Sequence, residues 1–315
     1  MGNITLPNSM TTIGPCAFRE SNVTIIYLPS TIKSVGNNAF FNSSLISFNY
    51  TSGMSIGNSP FAWTPMSYIT LPSYRSMIYD YEFAYTNLKY IDIPESVISI
   101  GKYAFAGCHF DEISLPEGIT YLGESAFRDT CIKKIYLLST LKTVYLYCFY
   151  NAICELIDFP ENFQAFNTYC FEFSNVPSLI IPPLVTVIPP LAFANSLIRH
   201  IKLSDRITDI GNYAFSNASL LEDIELPETL KNKGMYTFQL TTIKTIRIPS
   251  KVETFLDGLF MNSFLETIYI PSGLKYIEKL VFYNSSLKDA EMPESHVYIK
   301  ENVFYNTFLS YLNLK

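Results

Sequence analysis

Phenylalanine keeps a fixed period along the entire chain. It stands at Phe18, Phe40, Phe61, Phe83, Phe105, Phe127, Phe149, Phe171, Phe193, Phe215, Phe238, Phe260, Phe282 and Phe304. The intervals are 22 residues, except for one of 21 (Phe40 to Phe61) and one of 23 (Phe215 to Phe238). A repeat of that length is one supersecondary unit, too small to bury its own apolar face, so neighbouring units must stack. For 315 residues, length alone would suggest about two compact domains. The periodicity predicts instead a single solenoid domain over residues 1–315, with the phenylalanines as an interior ladder.

Further rows lock to the same frame. Five residues before each Phe comes an aliphatic: Ile13, Val35, Ile56, Ile78, Ile100, Leu122, Val144, Ile188, Ile210, Ile277 and Ile299. Phe166 and Phe255 are aromatic substitutes in this row, and Lys233 breaks it. Immediately before Phe stands a small residue in many units (Ala17, Ala39, Ala104, Ala126, Ala192, Ala214), replaced by Cys148 and Cys170 in two. After Phe the text becomes L-x-x-I-x-L-P, as in Leu88, Ile91, Ile93, Pro94, or Leu265, Ile268, Ile270, Pro271. Aliphatics two apart describe a short strand with one buried face. The proline that follows removes an amide donor and ends it. Spacings of three through Val97 and Ile100 suit a turn or short 3₁₀ segment on the return path. Strands of successive coils then pair in parallel, about 4.8 Å apart.

The unit L-x-x-I-x-[LI]-P-x-x-[VI]-x-x-I-G-x-x-A-F resembles the BspA-type leucine-rich repeat, a family of surface proteins of oral and gut bacteria and of parasitic protists. Residues 26–40, IYLPSTIKSVGNNAF, and 91–108, IDIPESVISIGKYAFAGC, carry the resemblance most clearly, and it extends over about residues 4 to 315. It implies a β-rich solenoid of 14 right-handed coils, with one parallel sheet on a concave face and short 3₁₀ or irregular segments on the convex side. The family often places Cys three residues after Phe; here only Cys108 does so, and Asn-Ser or Asn-Thr fills that turn elsewhere, as at Asn42-Ser43 and Asn306-Thr307. The sequence opens in a strand (Ile4, Leu6, Pro7) and closes in one (Leu309, Leu312, Leu314) with no polar cap. It reads as a fragment, or as a short member whose ends associate.

Charge and composition narrow the function. A net charge of −6 disfavours nucleic acid, which rewards basic patches. The first twenty residues lack the basic and apolar regions of a secretory leader, and Leu6 occupies the Ser/Thr position of a myristoylation signal. Phe173 to Ile198 is uncharged, but it holds five prolines and keeps the repeat register, so it is solenoid core and no membrane span is expected. Six cysteines in so long a chain do not make a disulfide scaffold and leave the redox compartment open.

In a leucine-rich-repeat strand, residues between the buried ones point outward, onto the concave face. The row nine after Phe includes Tyr27, Asp92, Tyr136, Asp158, Lys202, Arg247 and Tyr269, and the row seven after it includes Tyr68, Tyr90, Glu112, His200 and Tyr311. Such tyrosine-bearing, mixed-charge surfaces suit protein recognition, because tyrosine offers area and a hydroxyl at small entropic cost. The competing account is an ordinary solvated sheet rich in β-favouring tyrosine. Arg199 and Lys202, then Glu222, Asp223 and Glu225, then Lys244 and Arg247 alternate in sign between coils, which is best explained as a register-setting cross-strand ladder.

His109 and Cys131 occupy the same position of consecutive coils, with Cys108 and Asp129 nearby. They could form a Cys-His pair or part of a metal site, but no oxyanion hole, pocket or full ligand set accompanies them. No catalytic residue, metal or cofactor is therefore expected. Cys148 and Cys170 are expected as small buried thiols, bridged only in an oxidising compartment. His296 falls in an interior row, as an irregularity of a terminal coil. Sequons occur at Asn3, Asn22, Asn42, Asn49, Asn217 and Asn284. Since Asn stands two after Phe in seven coils, its expected role there is hydrogen bonding to the neighbouring backbone.

The resemblance, the missing chemistry and the tyrosine-bearing face together point to a non-catalytic protein-binding repeat protein. By resemblance it is a surface or secreted adhesin, with host matrix or cell-surface proteins as partners. The alternative is an intracellular scaffold, favoured by the absent leader and the unpaired cysteines.

Overall fold

The computed structural model describes residues 2–294 and 296–309, together with the backbone of Asn313 and Leu314. Tyr311 and Leu312 of the expected last strand lie outside the described residues. The chain is a β-solenoid of about 14 turns, and no helix occurs among the described residues. It divides into two compact units, Met1–Ile157 and Asp158–Lys315.

In the first unit the phenylalanines from Phe18 to Phe149 form one ladder. Successive rings lie 5.3 to 6.0 Å apart, tilted by no more than 24°. In the second unit Phe171 to Phe304 repeat the arrangement at 5.4 to 5.8 Å. Those spacings exceed the ~4.8 Å rise between strands, so the rings pack offset, as aromatic quadrupoles prefer. The rings from Phe40 to Phe282 are buried and only Phe18 and Phe304 are half-exposed.

Nearly every turn contributes a front strand where the L-x-x-I-x-L-P text predicts it. In the first unit these include Val23–Tyr27, Tyr68–Thr70, Tyr90–Asp92, His109–Ser114 and Cys131–Tyr136. In the second they include Ser178–Ile180, His200–Lys202, Asp223–Ile224, Thr245–Arg247, Thr267–Tyr269 and Asp289–Met292. These pairings are parallel and in repeat register, apart from a shift between Gly2 and Asn3. The aliphatic row before Phe builds a second ladder, expected as a turn or 3₁₀ return path. Two-residue back strands such as Ser34–Val35, Met77–Ile78 and Asp209–Ile210 pair in parallel, each with its second residue buried.

The turn around each Phe has a feature that the text does not announce. The residues two before and two after it both adopt positive φ, for instance Tyr81 at 56° and Tyr85 at 56° around Phe83. L-residues pay for that conformation, and the hydrogen bonding offsets the cost. Alternate amides, those of Tyr81, Phe83 and Tyr85, donate to Lys102, Ala104 and Ala106 of the next coil at 2.8, 3.0 and 2.5 Å. The amides between them, Glu82 and Ala84, close local turns onto Tyr79 and Tyr81. No turn amide of this set is stranded, as burial demands.

The row after Phe explains the recurrent Asn-Ser. Asparagine tolerates positive φ better than most residues, and here the side chains bond one another rather than the backbone. Asn217 donates to Asn195 at 2.9 Å, Asn284 to Asn262 at 2.9 Å and Asn306 to Asn284 at 2.6 Å. The following hydroxyl donates to the Phe carbonyl, as in Ser196 to Phe193 and Ser263 to Phe260, both at 2.7 Å. Asn284→Ala is expected to cost about 1–2 kcal/mol, losing two bonds and straining a β-carbon at φ 53°. Asn284→Gly loses the bonds without the strain. Urea denaturation should rank the glycine variant above the alanine variant, and equal midpoints would show that the backbone conformation carries no cost.

Candidate binding face

All eleven residues proposed for the outer face are exposed, on the front strands or at their ends. In the first unit the face is organised by hydroxyl–carboxylate bonds. Tyr68 pairs with Tyr90 and Thr70 with Asp92 in register. The Tyr68 hydroxyl donates to Asp92 Oδ2 at 2.8 Å, while that of Tyr90 donates to Asp111 Oδ2 at 3.2 Å. Lys133 also donates to Asp111, at 2.5 Å, and with that hydrogen bond and charge it holds the Asp111 carboxyl below its ordinary pKa. Glu112 lies opposite Lys134, and Ser114 opposite Tyr136. Tyr27 pairs with Thr5 at the start of the unit, and Asp158 ends the strand Ile153–Asp158. Tyrosine rings held this way lose little freedom on binding.

In the second unit His200 lies opposite Asp223, with Nδ1 3.4 Å from Oδ1. Lys202 pairs with Ile180, and the Arg247 guanidinium sits over the Tyr269 ring at 4.7 Å. The alternating charges form the expected cross-strand ladder only in part, since among the described residues Lys202 and Arg247 meet no carboxylate and Asp223–Ile224 and Thr245–Arg247 lie in different sheets. Arg199 meets Glu222 at 3.7 Å, and Glu266 is shared by Lys244 at 4.0 Å and Lys288 at 2.8 Å. These exposed pairs set register more than they stabilise.

His109 and Cys131 are brought opposite each other in register. Their supposed helpers are engaged elsewhere. Asp129 accepts from Tyr85, Arg128 and Asn151. Cys108 is buried against the Phe83 carbonyl and Thr86, and burial pushes its thiol up to about 12. Among the described residues no group of His, Cys, Asp and Glu is placed to hold a metal. Cys148 and Cys170 are buried in the row that holds alanine elsewhere, as expected, and burial raises the Cys148 thiol strongly. His296 departs from expectation: it is exposed rather than interior, because the last coil's aliphatic row, Ile299 included, is itself open to solvent.

Two interior polar sites escaped the sequence reading. Arg75 stands eight before Phe83, where other coils place Ile32, Val97 or Leu141, and Glu82 occupies the alanine row. Both are buried and joined at 2.6 Å. The Tyr50 hydroxyl, also interior, donates to Glu82 at 3.3 Å, and the Tyr79 amide donates to Glu82 at 2.8 Å. Charged residues falling on apolar rows were the available signal. Lys233, noted only as a break in its row, is buried with its Nζ 5.3 Å from the Phe255 ring and no hydrogen-bond partner. Burial lowers its pKa from 10.5 to about 7.

No helix is long and apolar enough to cross a membrane among the described residues. A family model described as BspA type leucine rich repeat region matches residues 1–108, 76–199 and 186–310. Solved structures with the same fold include the pneumococcal vaccine antigen PcpA, 18% identical over 99% of this chain and 89% of that one, with a TM-score of 0.60. A leucine-rich repeat protein from Bacteroides ovatus is 23% identical over 88% and 83%, with a TM-score of 0.53. A leucine rich cell surface protein from Faecalibacterium prausnitzii is 21% identical over 99% and 92%, with a TM-score of 0.51. Among curated proteins no significant match was found.

Proposed function

Because the chain belongs to the BspA-type leucine-rich repeat family, we propose that it is a surface or secreted recognition protein that binds other proteins through its front strands. Repeat proteins of this kind generally bind proteins and are typically non-catalytic. The observation that carries the reading is the tyrosine–carboxylate network of Tyr68, Tyr90, Asp92 and Asp111, exposed yet tied in place. A surface setting is supported by relatives of the same fold described as a vaccine antigen and a cell surface protein. Extracellular matrix or cell-surface proteins are the partners that setting offers. No step of this function calls for a cofactor.

A second reading, an intracellular scaffold, draws support from the free thiols of Cys16, Cys108, Cys131, Cys148 and Cys154, since such thiols are kept in reducing compartments. One experiment addresses both. The immobilised protein and a variant carrying Tyr68→Ala, Tyr90→Ala and Tyr136→Ala are challenged with matrix and cytosolic extracts, and each captured protein is then purified and titrated. Saturable binding of a matrix protein, weakened at least about tenfold in the variant, is the expected result. Equal binding by both forms removes these tyrosines from the interface, and capture confined to cytosolic proteins favours the scaffold.

A further inference from the structure

The 23-residue interval between Phe215 and Phe238 takes its extra residue between Asn217, which meets Asn195, and Asp223, which pairs with His200, and the front strand that follows is short. Ser178–Ile180 pairs with His200–Lys202 over three positions, the last being Ile180 opposite Lys202. Asp223–Ile224 pairs with the same strand at two positions only, through His200 and Ile201. The sheet ends there, and Thr245–Arg247 begins another. Over these strands and the segments that follow them lies a groove whose lining includes Ile180, Lys202, Asp205, Asp223, Glu225 and Glu228.

We propose that this groove receives an arginine or lysine side chain, flanked by an apolar residue, from an extended segment of a protein partner. The inference rests on the protein-binding reading above and names the chemistry of one subsite. Charge complementarity selects the occupant: four carboxylates line the groove against Lys202 and His200, the latter 3.4 Å from Asp223. Glu228 stays ionised below its ordinary range, because the Ser250 amide and hydroxyl donate to it at 3.1 and 2.9 Å. Ile180 is 69% exposed, an apolar contact for the flanking residue. A guanidinium offers paired donors to facing carboxylates. Acidic segments and nucleic acid are repelled by the same charges.

The test uses the full chain and three capped, fluorescein-labelled peptides: Gly-Arg-Leu-Arg-Gly and its counterparts with Ala or Glu for Arg. Anisotropy should show saturable binding of the arginine peptide alone, weakening as salt screens the carboxylates. Glu225→Gln with Glu228→Gln should weaken it about tenfold or more. Asp223→Lys with Glu225→Lys should transfer the preference to the glutamate peptide. Equal binding of the arginine and alanine peptides, or arginine binding indifferent to both pairs of changes, overturns the proposal. The Tyr68, Tyr90 and Tyr136 variant separates this failure from that of the broader reading. If matrix capture still depends on those tyrosines while the groove ignores arginine, only the groove assignment falls. If the peptide follows the groove charges while capture ignores the tyrosines, the groove stands.

Discussion

Glu82→Ala is expected to lower the stability of the first unit by about 3–5 kcal/mol, and adding Arg75→Val is expected to return most of that loss. The single change leaves a guanidinium buried among apolar rows without its carboxylate. What remains around Arg75 is the Met77 carbonyl, at 2.9 Å from Nη2, and the rings of Tyr50 and Tyr79 at 5.8 and 5.0 Å. Its Nη1 is already unpartnered, so no spare bonding exists to absorb the charge. Burial is the largest influence and opposes the charge, but the attraction and hydrogen bond of Glu82, together with Tyr50 and Tyr79, outweigh it and raise the Arg75 pKa. The double variant restores the residue types that the same rows carry elsewhere, Val97 and Ala104 among them. Replacing a buried ion pair with matched apolar packing is commonly neutral or stabilising. Chemical denaturation of the two single variants and the double variant measures the coupling directly. A Glu82→Ala loss below about 1 kcal/mol would mean that water or movement relieves the charge.

Lys233→Met should act in the opposite direction, raising the stability of the second unit by about 3–5 kcal/mol at neutral pH and below. The unfolded chain holds the lysine proton up to about 10.5, whereas the folded chain releases it near 7. Between those values the unfolded state binds more protons, so wild-type stability climbs with pH through that window. Below about pH 7 the buried amine is charged in both states and the full penalty applies. Methionine removes the penalty and fills the same row beside Phe255. Denaturation midpoints across this range should rise for wild type and stay flatter for the variant, with the gap closing toward pH 10.5. Parallel profiles would show that the amine reaches solvent in the folded state.

The sequence frame conveyed the repeat, the strand row, its proline stop and the interior rings, because each depends on residue type at a fixed spacing. The paired positive-φ positions were not legible. At Tyr81, Leu191 and Tyr213 the residues have no special preference for that conformation, and inter-coil hydrogen bonds impose it. The asparagine row was visible, but its side chain-to-side chain bonding required the coil-to-coil distance. Exposure of the proposed face followed from alternation alone, whereas the Tyr68–Asp92 bond depends on rotamers that no pattern encodes. The two irregular intervals were plain in the text, yet their effect was not. The 21-residue coil reduces its front strand to one bridge, Ile25 to Ser47, and the 23-residue coil pairs its front strand at two positions only.

The turn amides have a consequence for how such a chain changes size. Each donates to an acceptor one coil further along, so a partner is defined by position within the unit and not by place in the molecule. Gaining or losing an entire unit hands every donor an equivalent acceptor, and length becomes a freely adjustable quantity. A single inserted residue must instead be absorbed inside its own coil: across the 23-residue interval the amides of Tyr213, Phe215 and Asn217 still donate to Met235, Thr237 and Gln239. Growth by whole rungs is therefore the conservative route, and an off-length coil is where the front wall can acquire a distinctive feature.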